Sequence, residues 1–170
     1  SGKYNEHVQS LWMIKHCQGV VNSTFKAIKT RDRKGHIPSR LKVVQVFRNE
    51  SSAQWARYVD CFNKISDKHA TRKDCSVLSP VAKTTAAMHS TVTNNLRSEL
   101  NEFYLFHGTS PAAVNGIKAE GFRIDLAGSS AGTAFGKGAY FAECSSKSDE
   151  YAQDDPSNVF TTGMYAFLLC

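Results

Sequence analysis

The run Phe103-Tyr104-Leu105-Phe106-His107-Gly108-Thr109-Ser110-Pro111 constrains the fold more than any other stretch of the chain. Four consecutive large apolar residues predict a short buried strand over 103–106, leading straight into His107-Gly108-Thr109. Ser110 is a good helix N-cap, Pro111 sits where a first-turn proline is tolerated, and Gly121 is placed to end the helix between them. Ala113, Val114 and Ile117 supply its buried stripe. A strand coupled this tightly to a punctuated helix, in 170 residues, specifies one mixed α and β domain with a core of its own.

The other segments can be arranged around this unit. Val8, Leu11, Trp12, Ile14 and Val20 recur at helical spacing and predict a first helix over 6–21. Residues 29–40, with Gly35 and Pro38, read as a connection, and Leu41 to Phe47 as a partly alternating β-branched strand. Ser51 or Ser52 caps the next helix, whose Trp55, Val59 and Phe62 share one face, flanked by Tyr58 and Ile65. Polar residues 66–80 read as a loop, and residues 82–100 carry no clear period. Beyond Gly121 come a glycine-rich stretch with Gly128, Gly132, Gly136 and Gly138, a strand over Ala139–Ala142, a polar helix capped from Ser145 or Ser146, and a final apolar strand over Met164–Cys170. That last pattern stops in its middle, and the chain starts on Ser without a signal-peptide pattern. It therefore reads as a piece of a longer protein.

Composition narrows the function classes. Ten Phe, six Tyr and two Trp exclude low-complexity disorder, and no apolar run reaches the roughly 20 residues that span a bilayer. Five scattered cysteines, none in Cys-x-x-Cys spacing, argue against a metal or redox site and fit a nuclear or cytoplasmic protein. The net charge of +6 is uneven: residues 1–100 hold 17 Lys and Arg against 7 Asp and Glu, residues 101–170 only 4 against 8. Much of the excess lies between Lys26 and Lys42. The plain reading of that run is a solvated basic linker. The functional one is an electrostatic landing site for an anionic polymer, such as nucleic acid, or for a membrane surface.

Three features carry chemistry. His107 and Gly108 stand at the end of a buried strand, Gly136-Lys137-Gly138 leads into a strand bearing Tyr140, and Ser146, Lys147, Ser148 and Tyr151 follow on one or two helical turns. Each has an ordinary structural reading: a hydrogen-bonded histidine, a surface loop, strand core, helix starts. The glycines match neither G-x-G-x-x-G nor G-x-x-x-x-G-K-[ST]. In combination, two aromatic rings, short hydroxyls, a histidine and exposed main chain suit a flat polar heteroaromatic ligand bearing a carboxamide.

In this order, Leu105-Phe106-His107-Gly108-Thr109, Gly121-Phe122, Phe135-Gly136-Lys137-Gly138-Ala139-Tyr140-Phe141-Ala142-Glu143 and Ser145-Ser146-Lys147-Ser148 with Tyr151 resemble the poly(ADP-ribose) polymerase catalytic domain. Val43–Asn49 followed by Trp55-Ala56-Arg57-Tyr58 looks like its first strand and helix, and the likeness is to tankyrase-like members without the helical regulatory subdomain. The resemblance spans residues 40–170, leaving 1–39 as a helical, basic extension. It implies an α+β fold, the split β-sheet sandwich of ADP-ribosyltransferases with flanking helices, here missing its C-terminal strands.

It also implies an enzyme that transfers ADP-ribose from NAD⁺ to protein, singly or as a polymer, and releases nicotinamide, with no metal. His107 would bond the adenosine-side ribose, and Gly108 would pair its N–H and C=O with the carboxamide, next to Thr109. Ser148 would add a hydroxyl, Tyr151 would stack on the nicotinamide, Tyr140 would wall the other side, and Lys147 would help to position the reacting group. The loop Asp125–Thr133 would border the pocket. Breaking the nicotinamide–ribose bond builds positive charge on the ribose, which a carboxylate normally stabilises. The family's third catalytic residue lies downstream of Cys170. Asp149, Glu150, Asp154 and Asp155 read as solvated charges, and Glu143 is not assigned that role. The chain alone is therefore expected to have little or no transferase activity. A non-catalytic NAD⁺ or ADP-ribose binding module is the alternative from a different class, and a basic interaction domain recognising nucleic acid or poly(ADP-ribose) through Lys26–Lys42 is the third.

Overall fold

The computed structural model describes residues 3–7 (as backbone), 10–72, 76–126, 136–154 and 163–170. It is a small α+β structure with two short antiparallel ladders. β1 (Lys3–His7) pairs with β2 (Phe47–Ser51), Lys3 opposite Ser51. β3 (Phe106–Thr109) pairs with β4 (Ala166–Leu169), Phe106 opposite Leu169. The helices are α1 (Leu11–Thr24), α2 (Ser52–Thr71), α3 (Lys83–Ala87), α4 (Ser90–Thr93), α5 (Pro111–Glu120) and α6 (Ser145–Asp149). No described helix is long and apolar enough to cross a membrane.

The strand–helix unit forms as its punctuation requires, with one shift. Ser110 accepts from the Ala113 N–H, Pro111 opens α5, and Gly121 ends it at φ 89°, a conformation open to glycine. The ladder starts at Phe106 rather than Phe103, so His107 and Gly108 lie in the strand and not beyond it. Tyr104, whose main chain faces away from β4, gives its N–H and C=O to the hydroxyl of Thr85 on α3 instead of to a strand. On the far side of β3, Phe106 and Ala142 exchange both main-chain bonds at 2.8 Å, and this bridge is all that forms of the strand expected over 139–142.

Two other expectations shift for physical reasons. The strand expected over 41–47 is reduced to Phe47, because Leu41 and Val43 are held by a side chain: Gln18 donates to the Leu41 carbonyl at 3.0 Å and accepts from the Val43 N–H at 2.7 Å. Both residues then pack on the core of Val20, Val21 and Phe106, with Met88 and Leu169 beside them. The helix capped by Ser51 forms, but runs on to Thr71, through the start of the expected loop. Its aromatic face is not buried. Trp55 and Tyr58 are 66% and 44% exposed and stack on each other at 5.4 Å.

An adjoining side of α2 holds the strand–helix unit. Gln54 donates to the Ile117 and Lys118 carbonyls and Arg57 to the Glu120 carbonyl, in the last turn of α5, where the Ile117 carbonyl also accepts the Gly121 N–H. Helix α1 forms three to five residues later than predicted, capped by Ser10, with β1 occupying the expected helix start.

Candidate functional site

The site is built where α6 crosses β3. Leu105 and Cys170 exchange both main-chain bonds, at 2.8 and 3.0 Å. In an antiparallel ladder such pairs alternate, so His107 and Thr109 also direct their main chain at β4, whereas Phe106 and Gly108 direct theirs to the opposite edge. Phe106 spends that edge on Ala142; Gly108, two residues on, presents an N–H and a C=O side by side that β4 does not claim. Below it runs α6, so close that a Cβ on Gly108 would stand 1.9 Å from the Ser148 carbonyl oxygen. The glycine is required by that approach. Gly108 and Ser148 are thereby brought together, with Ser148 2% exposed.

His107 projects from β3 between Phe122 and Phe141, with ring centroids 5.0 and 5.5 Å away. Its Nδ1 lies 2.8 Å from the Tyr140 carbonyl. A carbonyl only accepts, so Nδ1 carries the hydrogen, and in the neutral ring Nε2 is left as an acceptor. Tyr140 thus serves His107 through its main chain, while its hydroxyl donates to the Gly136 carbonyl at 2.6 Å. The Thr109 carbonyl accepts from the Gln153 N–H at 3.3 Å, tying the strand to the turn after α6. The glycines around Gly128 and Gly132, Phe135, Asp155 and residues 127–133 of the expected bordering loop lie outside the described residues.

Helix α6 is five residues long and cannot hold itself. It has no side-chain cap: Cys144, rather than Ser145 or Ser146, is its N-cap residue. Those serines clamp it to the end of α1. Ser145 donates to the Val21 carbonyl at 2.9 Å and its N–H bonds Thr24 Oγ1, while Ser146 accepts from the Lys26 N–H at 3.1 Å.

Asp149 and Glu150 are not solvated, contrary to the sequence reading. Their side chains are 8% and 2% exposed. Arg33, itself 8% exposed, meets Asp149 at 2.6 Å and donates to the Ser146 carbonyl at 3.2 Å. Thr30 donates to Glu150 at 2.7 Å. Sequence reasoning missed Thr30, Asp32 and Arg33, which lay in the segment read as a basic linker. The available signal was Asp32, a lone acid between two arginines, together with the adjacent pair Asp149-Glu150, which needs counterions when buried.

Asp32 completes the arrangement. Its Oδ2 accepts from Lys147 Nζ at 2.8 Å and from the Tyr151 hydroxyl at 3.0 Å. Lys147 also bonds Glu150 at 2.8 Å and stands 5.1 Å from the centre of the Tyr151 ring. The ammonium of Lys147 is therefore engaged by two carboxylates. Burial disfavours its charge, but Asp32, Glu150 and Tyr151 outweigh that and hold its pKa above the ordinary lysine value. Burial, then the neighbouring Asp32, pushes the Tyr151 phenol up, so it donates as a neutral hydroxyl.

Hydrogen bonds from Lys147, Tyr151 and Arg31 lower Asp32 to about 2. A carboxyl depressed in the folded state stabilises fully above its unfolded value, near 4, and that contribution is lost as pH falls toward about 2. The difference in urea midpoint between the wild type and Asp32→Asn is expected to be constant from pH 7 to 5 and to shrink on going below pH 4.

Glu143 is occupied elsewhere: the Lys83 main chain and ammonium both bond its carboxylate at 3.0 Å and lower its pKa. Among the described residues no group of three His, Cys, Asp or Glu side chains could hold a metal ion. The family model of the poly(ADP-ribose) polymerase catalytic domain matches residues 21–170. No curated protein matches the chain.

Proposed function

The chain belongs to the poly(ADP-ribose) polymerase catalytic-domain family, and from that premise we propose that it forms the donor-site part of an NAD⁺-dependent protein ADP-ribosyltransferase. The observation that carries the reading is the paired N–H and C=O of Gly108, directed away from β4 and packed against Ser148. A primary carboxamide needs one donor and one acceptor side by side, and a nearby hydroxyl adds a third bond. His107 suits a ribose hydroxyl for the same kind of reason: with Nδ1 donating to Tyr140, Nε2 accepts an O–H. Tyr151 supplies a ring for stacking, and Tyr140 walls the pocket. NAD⁺ supplies an ADP-ribosyl group on a neutral leaving ring. The residues here would bind and orient it, and the split sandwich of the family would enclose it. Protein side chains are the proposed acceptors.

Titration calorimetry with NAD⁺ and with benzamide, a bare ring with the same carboxamide, tests the reading. Both ligands should bind and compete. His107→Ala should weaken NAD⁺ about tenfold, the worth of one lost hydrogen bond, and leave benzamide within about twofold. An unchanged NAD⁺ affinity in this variant would remove His107 from the site.

One observation favours a second reading, binding without transfer. Four described carboxylates on and beside α6 are engaged: Asp149 by Arg33, Glu150 and Asp32 by Lys147, Glu143 by Lys83. None of these is available to stabilise developing positive charge on a ribose. Release of nicotinamide, followed in the same samples, separates the readings.

A further inference from the structure

Tyr151 is held more firmly than ring stacking requires. Its main-chain N–H bonds the Ser148 carbonyl at 3.1 Å, its hydroxyl bonds Asp32 at 3.0 Å, and Lys147 sits over the ring. The first contact fixes where the side chain begins and the second where it ends. The third occupies one face of the ring.

Asp32 is itself fixed. The next residue, Arg33, is locked to α6 through Asp149, so the carboxylate is presented from a segment anchored on the same helix that carries Tyr151. The bond joins positions 119 residues apart in the chain. A tyrosine acting as simple filler could keep its hydroxyl in water. Here the hydroxyl is tied to a carboxylate that is tied in turn to the ammonium beneath the ring.

We propose that Asp32 is a positioning residue for ring recognition, acting through the Tyr151 hydroxyl to hold the phenol ring at the angle a carboxamide-bearing aromatic ligand needs. The inference rests on the NAD⁺-site reading. Asp32 touches no ligand; it sets the orientation of the group that does. Preorganisation of this kind strengthens binding by removing rotamer freedom before the ligand arrives.

Benzamide titrations on the wild type, Asp32→Asn, Tyr151→Phe and the double variant provide the test. Each single change should weaken benzamide about tenfold, and the double variant should be no weaker than either, since both remove one linkage. The ring resonances of ¹³C-labelled tyrosine give a second readout. Of the six tyrosines, Tyr151 is assigned by its loss in Tyr151→Phe, and Asp32→Asn should move that resonance while leaving the others in place. A general loss of structure would move them all.

Unchanged benzamide affinity in Asp32→Asn, or losses that multiply in the double variant, would overturn the inference and leave the NAD⁺ reading standing. A wild type that binds neither benzamide nor NAD⁺ would overturn both. If Asp32→Asn does not fold, Tyr151→Phe decides, because it removes one oxygen and keeps the ring: full affinity there sinks the proposal.

Discussion

Gly108→Ala is expected to cost about 3 kcal/mol of stability and to abolish benzamide binding. The added Cβ would lie 1.9 Å from the Ser148 carbonyl oxygen and 2.7 Å from its carbon. Both are main-chain atoms, so no rotamer change can relieve the overlap. Either β3 or α6 must move, and each is held. Phe106 is bonded to Ala142, and Leu105 to Cys170, on opposite edges of the strand. Ser145 and Ser146 hold α6 to the end of α1 and the segment after it. Thermal unfolding should show a large fall in the midpoint, and a variant that keeps the wild-type midpoint would mean that the sheet and helix are not packed as described. Gly138→Ala is the control, because nothing lies within 4 Å of its added Cβ.

Arg33→Ala should be about as damaging, at about 3–5 kcal/mol. It removes the partner of Asp149, whose carboxylate is equally buried, and the donor to the Ser146 carbonyl. The loss comes chiefly from the groups left behind, since an unpaired buried charge has no water to replace its partner. A double replacement, Arg33→Met with Asp149→Leu, should recover a large part of the stability, because it leaves neither charge stranded. Urea denaturation of the wild type, Arg33→Met, Asp149→Leu and the double variant distinguishes this from a surface pair: losses that simply add would contradict a shared buried contact. Exposed neighbours such as Lys29 and Lys34 serve as comparison, and Ala there should be nearly silent.

The local elements were legible wherever a short-range rule sufficed. Ser110, Pro111 and Gly121 announce α5 because capping acts within one turn, and Ser51 announces the start of α2 for the same reason. The order of His107, Gly108, Tyr140, Lys147, Ser148 and Tyr151 carried the family, and the match over residues 21–170 bears this out. The strand expected over 41–47 was less legible. Its apolar residues do go to the core, but a glutamine side chain from α1, and not a neighbouring strand, satisfies its main chain.

Charge was the least legible property. Asp149 and Glu150 look in sequence like any solvated pair, and Arg33 like any member of a basic run. What makes them different is that α6 lies against residues 30–33, a contact made across more than a hundred residues of chain. Lys147 shows the same point: its place in the motif was plain, but its two carboxylate partners were not.

Sequence alone determined the strand–helix unit, the family, and the residue types available to a carboxamide-binding pocket, because these follow from local conformational preference and a fixed order along the chain. Tertiary structure alone decided that Gly108 faces an open edge, that Ser148 lies beneath it, and that Asp32 and Arg33 belong to the same assembly as Tyr151. Ladder alternation, close approach and burial depend on which distant segments meet. No property of a residue or of its immediate neighbours carries that information.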